Sequence, residues 1–192
     1  MAYFNKDTQE IHCKIVYVGA KNAGKTQNLR SIYQEASSGS SLQKISLSRA
    51  LEENEYFEFM PLGLGDKDTN LLRLHLYTLP IRGAYDVLPQ MIFKDVDAIV
   101  YVIDSCTEKM LENQEAIEYT NLLIEQQGIN PEDIVHVYQY NKRDAIDIIK
   151  KEILDQYLNP NRYHCLSANV NEPGSAMETL LSVAKKLLNK IE

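Results

Sequence analysis

Residues 19–26 read Gly19-Ala20-Lys21-Asn22-Ala23-Gly24-Lys25-Thr26, a glycine-bounded loop closed by a lysine and a hydroxyl. The loop follows the apolar run Ile15-Val16-Tyr17-Val18 and opens a helix-like stretch. A strand that delivers the chain to a turn of exposed amides, followed by a helix N-terminus with partial positive charge, is suited to phosphate. In this pattern the amides around Gly19, Asn22, Ala23 and Gly24 cradle phosphate oxygens and Lys25 neutralises the outer ones. The Thr26 hydroxyl is the candidate Mg²⁺ ligand. The plain alternative is a lysine in an ordinary loop, and the strand-then-helix setting weighs against it.

A second cluster bears on which nucleotide is held. Asn141-Lys142-Arg143-Asp144 follows the apolar run Val135 to Tyr140. A carboxylate accepts two hydrogen bonds in a fork, which matches the N1 and exocyclic N2 donors of guanine and mismatches adenine. Asp144 is therefore the candidate base reader. Lys142 offers an aliphatic stem for the ring plane, and Asn141 can tie this segment to the phosphate loop. Ser167-Ala168 comes after the strand-like Tyr163 to Leu166 and is a candidate source of a backbone amide for the guanine oxygen. Asn-Lys-Arg-Asp alone is more often a charged surface turn, and Ser-Ala alone is weak; following a phosphate loop in this order, they favour guanine-nucleotide binding.

The elements that must position these residues follow from periodicity. A strand is expected from about Ile11 to Val18 and a helix from Lys25 to about Ala36. Two more strands are expected, Tyr56 to Met60 and Leu71 to Thr78, separated by a turn at Pro61 and Gly63 to Gly65. Asp97 to Ile103 reads as a buried strand. Met110, Leu111, Ala116, Ile117, Leu122 and Ile124 fall on a long amphipathic helix closed by Gly128 and Pro131. A helix around Ile146 to Leu154, a strand near Tyr163 to Leu166, and a C-terminal helix whose buried face is expected from Met177, Leu180, Leu181, Val183, Ala184 and Leu187 complete the pattern. Alternating strands and helices predict an α/β fold of the P-loop NTPase type. Its sheet is mostly parallel with helices on both faces, and ligand lies at the carboxyl ends of the strands.

Composition excludes several classes. The chain has 192 residues and a net charge of −7, so non-specific attraction to nucleic acid or anionic lipid is not expected. The N-terminus lacks a signal-peptide core and carries Ala2, and the C-terminus lacks a prenylation cysteine. Cys13, Cys106 and Cys165, odd in number and without metal-ligand spacing, read as buried, reduced thiols of a cytoplasmic protein with no direct membrane anchor. His12, His75, His136 and His164 are scattered and read as structural strand residues.

With phosphate loop, Asn-Lys-Arg-Asp and Ser-Ala in order, the chain resembles a Ras-like small GTPase. It is most similar to the bacterial gliding-motility and cell-polarity GTPases of the MglA type. The resemblance rests on Ile15-Val16-Tyr17, Lys25-Thr26 with Asn28-Leu29, and Phe57 to Leu62. It rests further on Leu76-Tyr77-Thr78 with Pro80, Tyr85-Asp86, and Gln139 to Asp144. Thr78 stands where most relatives outside that branch carry aspartate. The resemblance implies a single small-GTPase domain over residues 1–192, bound GTP or GDP with Mg²⁺, and a nucleotide switch that marks a cell pole. It also implies response-regulator-like polarity proteins as effectors and a roadblock-domain dimer as activator.

The chain departs from that pattern where hydrolysis happens. The family's glycine and catalytic glutamine after the third-strand threonine and proline are Ile81 and Arg82 here. Its finger arginine and metal-binding threonine are Glu53 and Asn54, and the third loop position is Lys21. Guanidinium is donor-only and cannot accept a proton from attacking water. A transition-state arginine is worth roughly 10³–10⁵ in rate. The expectation is retained nucleotide binding with weak or absent hydrolysis, in a regulator that recruits effectors. Two alternatives stand beside it: an active GTPase stimulated by a roadblock-domain partner, with Lys21 or Arg82 as substitute catalytic cations, and a binding module with a vestigial site. Glu58 is a candidate holder of a magnesium-bound water.

Overall fold

Runs apolar on both faces mark the strands that pass through the middle of a sheet. The computed structural model describes residues 3–5, 10–38, 59–64, 71–79 and 87–191. In it β2 (Glu10–Val18), β5 (Ala98–Asp104) and β6 (Val135–Asn141) lie side by side and parallel. Every residue of β5 and β6 is buried, as are Ile15 to Val18 of β2. On the far side of β2 comes β4 (Leu71–Thr78), parallel to it, and then β3 (Phe59–Leu64), antiparallel at the edge. The opposite edge is β7 (His164–Ser167), parallel to β6. A short β1 (Tyr3–Asn5) pairs antiparallel with residues 10–12. The resulting order is β3-β4-β2-β5-β6-β7.

Helices cover both faces. Leu29, Ile32 and Ala36 of α1 (Lys25–Ser38) recur every three or four residues, as do Leu180, Val183 and Leu187 of α5 (Ser175–Ile191). They pack on Ile15, Tyr17, Leu76, Val100 and Val137. Leu181, expected on the buried face of α5, is instead 51% exposed, because its position turns it away from the stripe of Leu180, Val183 and Leu187. On the other face α2 (Val87–Phe93), α3 (Met110–Gln126) and α4 (Lys151–Leu158) bring Phe93, Leu123 and Leu154 against Val16, Ile99, Tyr101 and Tyr138. Removing one of these buried leucines costs about 2–5 kcal/mol, enough to threaten a marginally stable domain. This is the α/β arrangement expected of a Ras-like P-loop protein. Its parallel strands all deliver their carboxyl ends, at Val18, Thr78, Asp104, Asn141 and Ser167, to one side.

Two expected elements are placed differently. The expected turn at Pro61 and Gly63 is strand: β3 runs to Leu64, with Pro61 opposite His75 and Gly63 opposite Arg73. Proline is tolerated there because β3 is an edge strand, where a missing N–H need not break a ladder bond. Residues 56–58 of the expected strand lie outside the described residues. The helix expected from Ile146 begins at Lys151 instead. The preceding segment is tied to the exit of β5: the Ile149 amide donates to the Ser105 carbonyl at 2.8 Å, and Thr107 Oγ1 donates to Asp147 Oδ2 at 2.7 Å. Those bonds hold it out of helical geometry and leave Ile146 fully exposed. Helix α3 ends as expected, with Gly128 at φ 63° donating its amide to the Glu125 carbonyl.

The three cysteines are free. Cys13 is buried, and burial pushes its thiol up to about 12, while Cys106 and Cys165 are half-buried. The four histidines are strand residues, and no cluster among the described residues has the makings of a metal site. No helix among them is long and apolar enough to cross a membrane.

Candidate nucleotide site

The phosphate loop is shaped by two glycines that no other residue could replace. Gly19 (φ 146°) leaves β2 so close to β5 that a Cβ would lie 2.1 Å from the Val102 carbonyl oxygen. Gly24 (φ 110°) passes the Asn141 side chain, where a Cβ would lie 2.3 Å from Nδ2. Between them Asn22 takes a left-handed turn (φ 62°), which asparagine tolerates better than most residues. The Ala23 amide closes the turn onto the Ala20 carbonyl at 3.2 Å. Among the described residues, no group accepts from the Asn22, Gly24 or Thr26 amide.

Lys25 and Thr26 open α1. The Lys25 ammonium folds back over the loop and donates to the Gly19 and Ala20 carbonyls, each at 2.8 Å. The half-buried Thr26 sits in the first turn beside it. Unengaged amides, a helix N-terminus and an ammonium thus meet at a loop packed too closely on Val102 and Asn141 to admit a Cβ at Gly19 or Gly24. That donor set fits phosphate, and the Thr26 hydroxyl fits a hard, oxygen-seeking cation. Lys21, at the third loop position, is exposed.

Asn141 joins the loop to the second cluster. Its Nδ2 donates to the Ala23 carbonyl at 2.7 Å, and its Oδ1 accepts from the Val170 amide at 3.1 Å. Lys142 turns at φ 59° and donates to Asp104 Oδ2 at 2.5 Å. Arg143 is held at both ends: its amide donates to the Ala168 carbonyl at 3.3 Å and its Nη1 to the Ile149 carbonyl at 2.7 Å. Asp144 faces outward, and its carboxylate has no partner among the described residues. The Ala168 amide expected at the base donates to the Tyr140 carbonyl at 2.7 Å, so it serves a base only by sharing that bond.

Several residues that build the site escaped sequence reasoning. Asp104 is fully buried at the end of β5. Its Oδ1 accepts from the Cys106 amide at 3.1 Å. The buried Asn113 of α3 clamps its backbone, accepting from the Asp104 amide at 3.1 Å and donating to its carbonyl at 2.8 Å. Burial, together with a hydrogen bond to Asp104, pushes the neighbouring Cys106 thiol above its ordinary range. An acid closing a fully apolar strand was the available signal. Gln139, a lone carboxamide inside β6, was another.

Thr78 is buried at the end of β4 beside Tyr17, in the place the resemblance gave it. Glu53, Asn54, Glu58, Ile81 and Arg82 lie outside the described residues.

No protein-family model matches the chain. Over all 192 residues it is 35% identical to the mutual gliding-motility protein MglA of Myxococcus xanthus (strain DK1622), 98% of which is covered.

Proposed function

Because the chain belongs to the MglA-type small GTPases, we propose that it is a guanine-nucleotide-binding regulator of motility and polarity that recruits effector proteins and hydrolyses GTP weakly or not at all. The observation that carries this reading is Asn141. One side chain holds the Ala23 carbonyl of the phosphate loop and the Val170 amide beyond β7, so the loop and the base-reading segment act as one unit.

Each residue then has a task. The amides around Gly19, Asn22, Ala23 and Gly24 receive phosphate oxygens, and Lys25 moves its ammonium from two loop carbonyls to the outer phosphates. Asp144 takes the two guanine donors, with Lys142 held by Asp104 so that its stem lies beside the ring. Thr26 would hold Mg²⁺, which when bound supplies positive charge to the terminal phosphates. Weak hydrolysis follows from sequence positions: Ile81, Arg82, Glu53 and Asn54 lack a group that orients water, a finger arginine and a second hydroxyl ligand.

The family resemblance supports response-regulator-like polarity proteins as effectors, a roadblock-domain dimer as activator, and a cytoplasmic protein drawn to a cell pole. The test is the nucleotide that co-purifies with the chain, released by denaturation and followed for a day with Mg²⁺. GTP that persists fits the proposal; GTP that decays removes the weak-hydrolysis part, and a chain that refuses added GTP removes the binding part. The exposure of Lys21 at the loop favours one second reading, a rewired GTPase using that cation. Phosphate release that rises on adding a roadblock-domain dimer, and falls in Lys21→Ala, would select it.

A further inference from the structure

Along β6 the face turned to α1 and α5 changes character as it nears the site. Val135 and Val137 join the hydrophobic core on that face, and Gln139 and Asn141 follow at the same two-residue spacing. Gln139 is fully buried, as are Asn28 of α1 and Thr179 of α5. A carboxamide in such a place is expensive unless its donors and acceptor are met.

They are met by a closed ring. Gln139 Oε1 accepts from Asn28 Nδ2 at 2.8 Å, and Gln139 Nε2 donates to Asn28 Oδ1 at 2.8 Å. The second Nε2 hydrogen goes to Thr179 Oγ1 at 2.9 Å, whose own hydroxyl donates to the Ser175 carbonyl at 3.3 Å. Asn28 passes the restraint on. Its Nδ2 donates to the Gly24 carbonyl at 3.0 Å, and its amide donates to the same oxygen at 2.9 Å.

The Gly24 carbonyl matters because of the peptide it belongs to. A trans peptide points its C=O and its N–H in opposite directions, and none of the described bonds is cis. Holding the Ala23 carbonyl, as Asn141 does, sets the direction of the Gly24 N–H. Holding the Gly24 carbonyl, as Asn28 does, sets the Lys25 N–H. Two consecutive peptide planes at the loop exit are therefore pinned from residues two apart on β6.

We infer that Gln139, acting through Asn28, is a positioning residue for the nucleotide phosphates, keeping the Gly24–Lys25 peptide turned with its N–H into the loop. The inference rests on the nucleotide-binding reading above. The competing account is a buried polar network that only stabilises the core. The two separate cleanly, because replacing both partners of a buried pair by apolar groups of similar shape is nearly neutral for stability.

The experiment uses the full chain loaded with fluorescent GDP and Mg²⁺, and reads nucleotide dissociation beside the denaturant midpoint of the nucleotide-free chain. Asn28→Leu and Gln139→Leu singly each leave a buried carboxamide short of two of its hydrogen bonds and lower the midpoint. The double variant is expected to regain the midpoint while GDP leaves about tenfold faster than from the wild type, the loss of roughly one ordinary hydrogen bond. A double variant that regains both midpoint and wild-type dissociation overturns the inference. Where the double variant does not fold, Asn28→Ser answers through the ratio of GDP to GMP affinity. A fall of about tenfold is expected, since the defect lies at the phosphates, and an unchanged ratio overturns the inference. A wild-type chain that takes up no GDP overturns the nucleotide-binding reading and the inference with it, and is recognised by failure before any substitution.

Discussion

Lys142 and Arg143 are both tethered to the protein, and that leaves Asp144 beside them to face outward. Its forked carboxylate suits a base with two adjacent donors. An asparagine in its place would offer one acceptor and one donor, which suits xanthine, where a carbonyl replaces the guanine amino group. Asp144→Asn is thus expected to weaken GDP by about 10²-fold while strengthening xanthosine diphosphate; competition binding checks it, and equal losses for both nucleotides would remove Asp144 from the base. Lys142 does different work. Asp104 is fully buried and the Lys142 ammonium is its cationic partner, so Lys142→Met strands a buried carboxylate. Stranding a charge costs about 3–5 kcal/mol for a wholly buried pair, and about 2 kcal/mol is expected here because Lys142 is partly solvated. The denaturant midpoint should drop in Lys142→Met and recover in large part when Asp104→Asn is added. A midpoint that stays down in the double variant would mean that the lysine stem, not the ion pair, holds this corner.

At the scale of elements, legibility followed burial and locality. Strands β2, β5 and β6 were readable because they are apolar on both faces. The 19–26 loop and the Asn141–Asp144 segment each stand out in the sequence because each is contiguous, and the structure sets them side by side through Asn141 and the Ala23 carbonyl. Strand β3 was misplaced because proline and glycine read as a turn unless the strand is known to be an edge. The start of α4 was misplaced because its upstream residues answer to Ser105 and Thr107, far away in sequence. The same reason hid Asp104 and Gln139, whose partners lie 38 and 111 residues away. Strand β6 also carries a titration. His136 donates Nε2–H to the Pro131 carbonyl at 3.0 Å and meets Tyr101 Oη through Nδ1 at 3.2 Å, stacked on Tyr163. Burial depresses its pKa, and burial likewise depresses those of His75 and His164. The unfolded chain therefore binds protons first as pH falls below about 6.5, and each histidine loses its contribution between that pH and its lower folded value. The denaturant midpoint is expected to be flat between about pH 7 and 8, below the range where unfolded thiols ionise, and to fall from about pH 6.5 downward, less steeply in His136→Gln. An equal slope in that variant would place the titration elsewhere.

The whole molecule couples these parts through the sheet. Loop, α1, β6 and α5 share one buried network, so a ligand at the carboxyl ends of the strands is felt in the core that α1 and α5 cover. A net charge of −7 gives no general attraction for an anionic nucleotide, and on the proposed reading affinity comes from the local amides and Lys25. Binding to the folded chain alone stabilises it by about 2.7 kcal/mol at a hundred times Kd. For a chain of this length each kcal/mol is worth about 2–4 °C, so GDP with Mg²⁺ should raise Tm by about 5–10 °C. ADP at the same concentration should leave Tm where it was, because Asp144 repels the acceptor that adenine presents at N1. Chelating the metal should return part of the gain, in proportion to what a cation at the proposed ligand Thr26 would contribute. Thermal scans with GDP, ADP and chelator decide among three states of the site. Equal shifts for both nucleotides would mean that phosphate is held and the base is not read; no shift for either would mean that the fold has kept the cradle without its occupant.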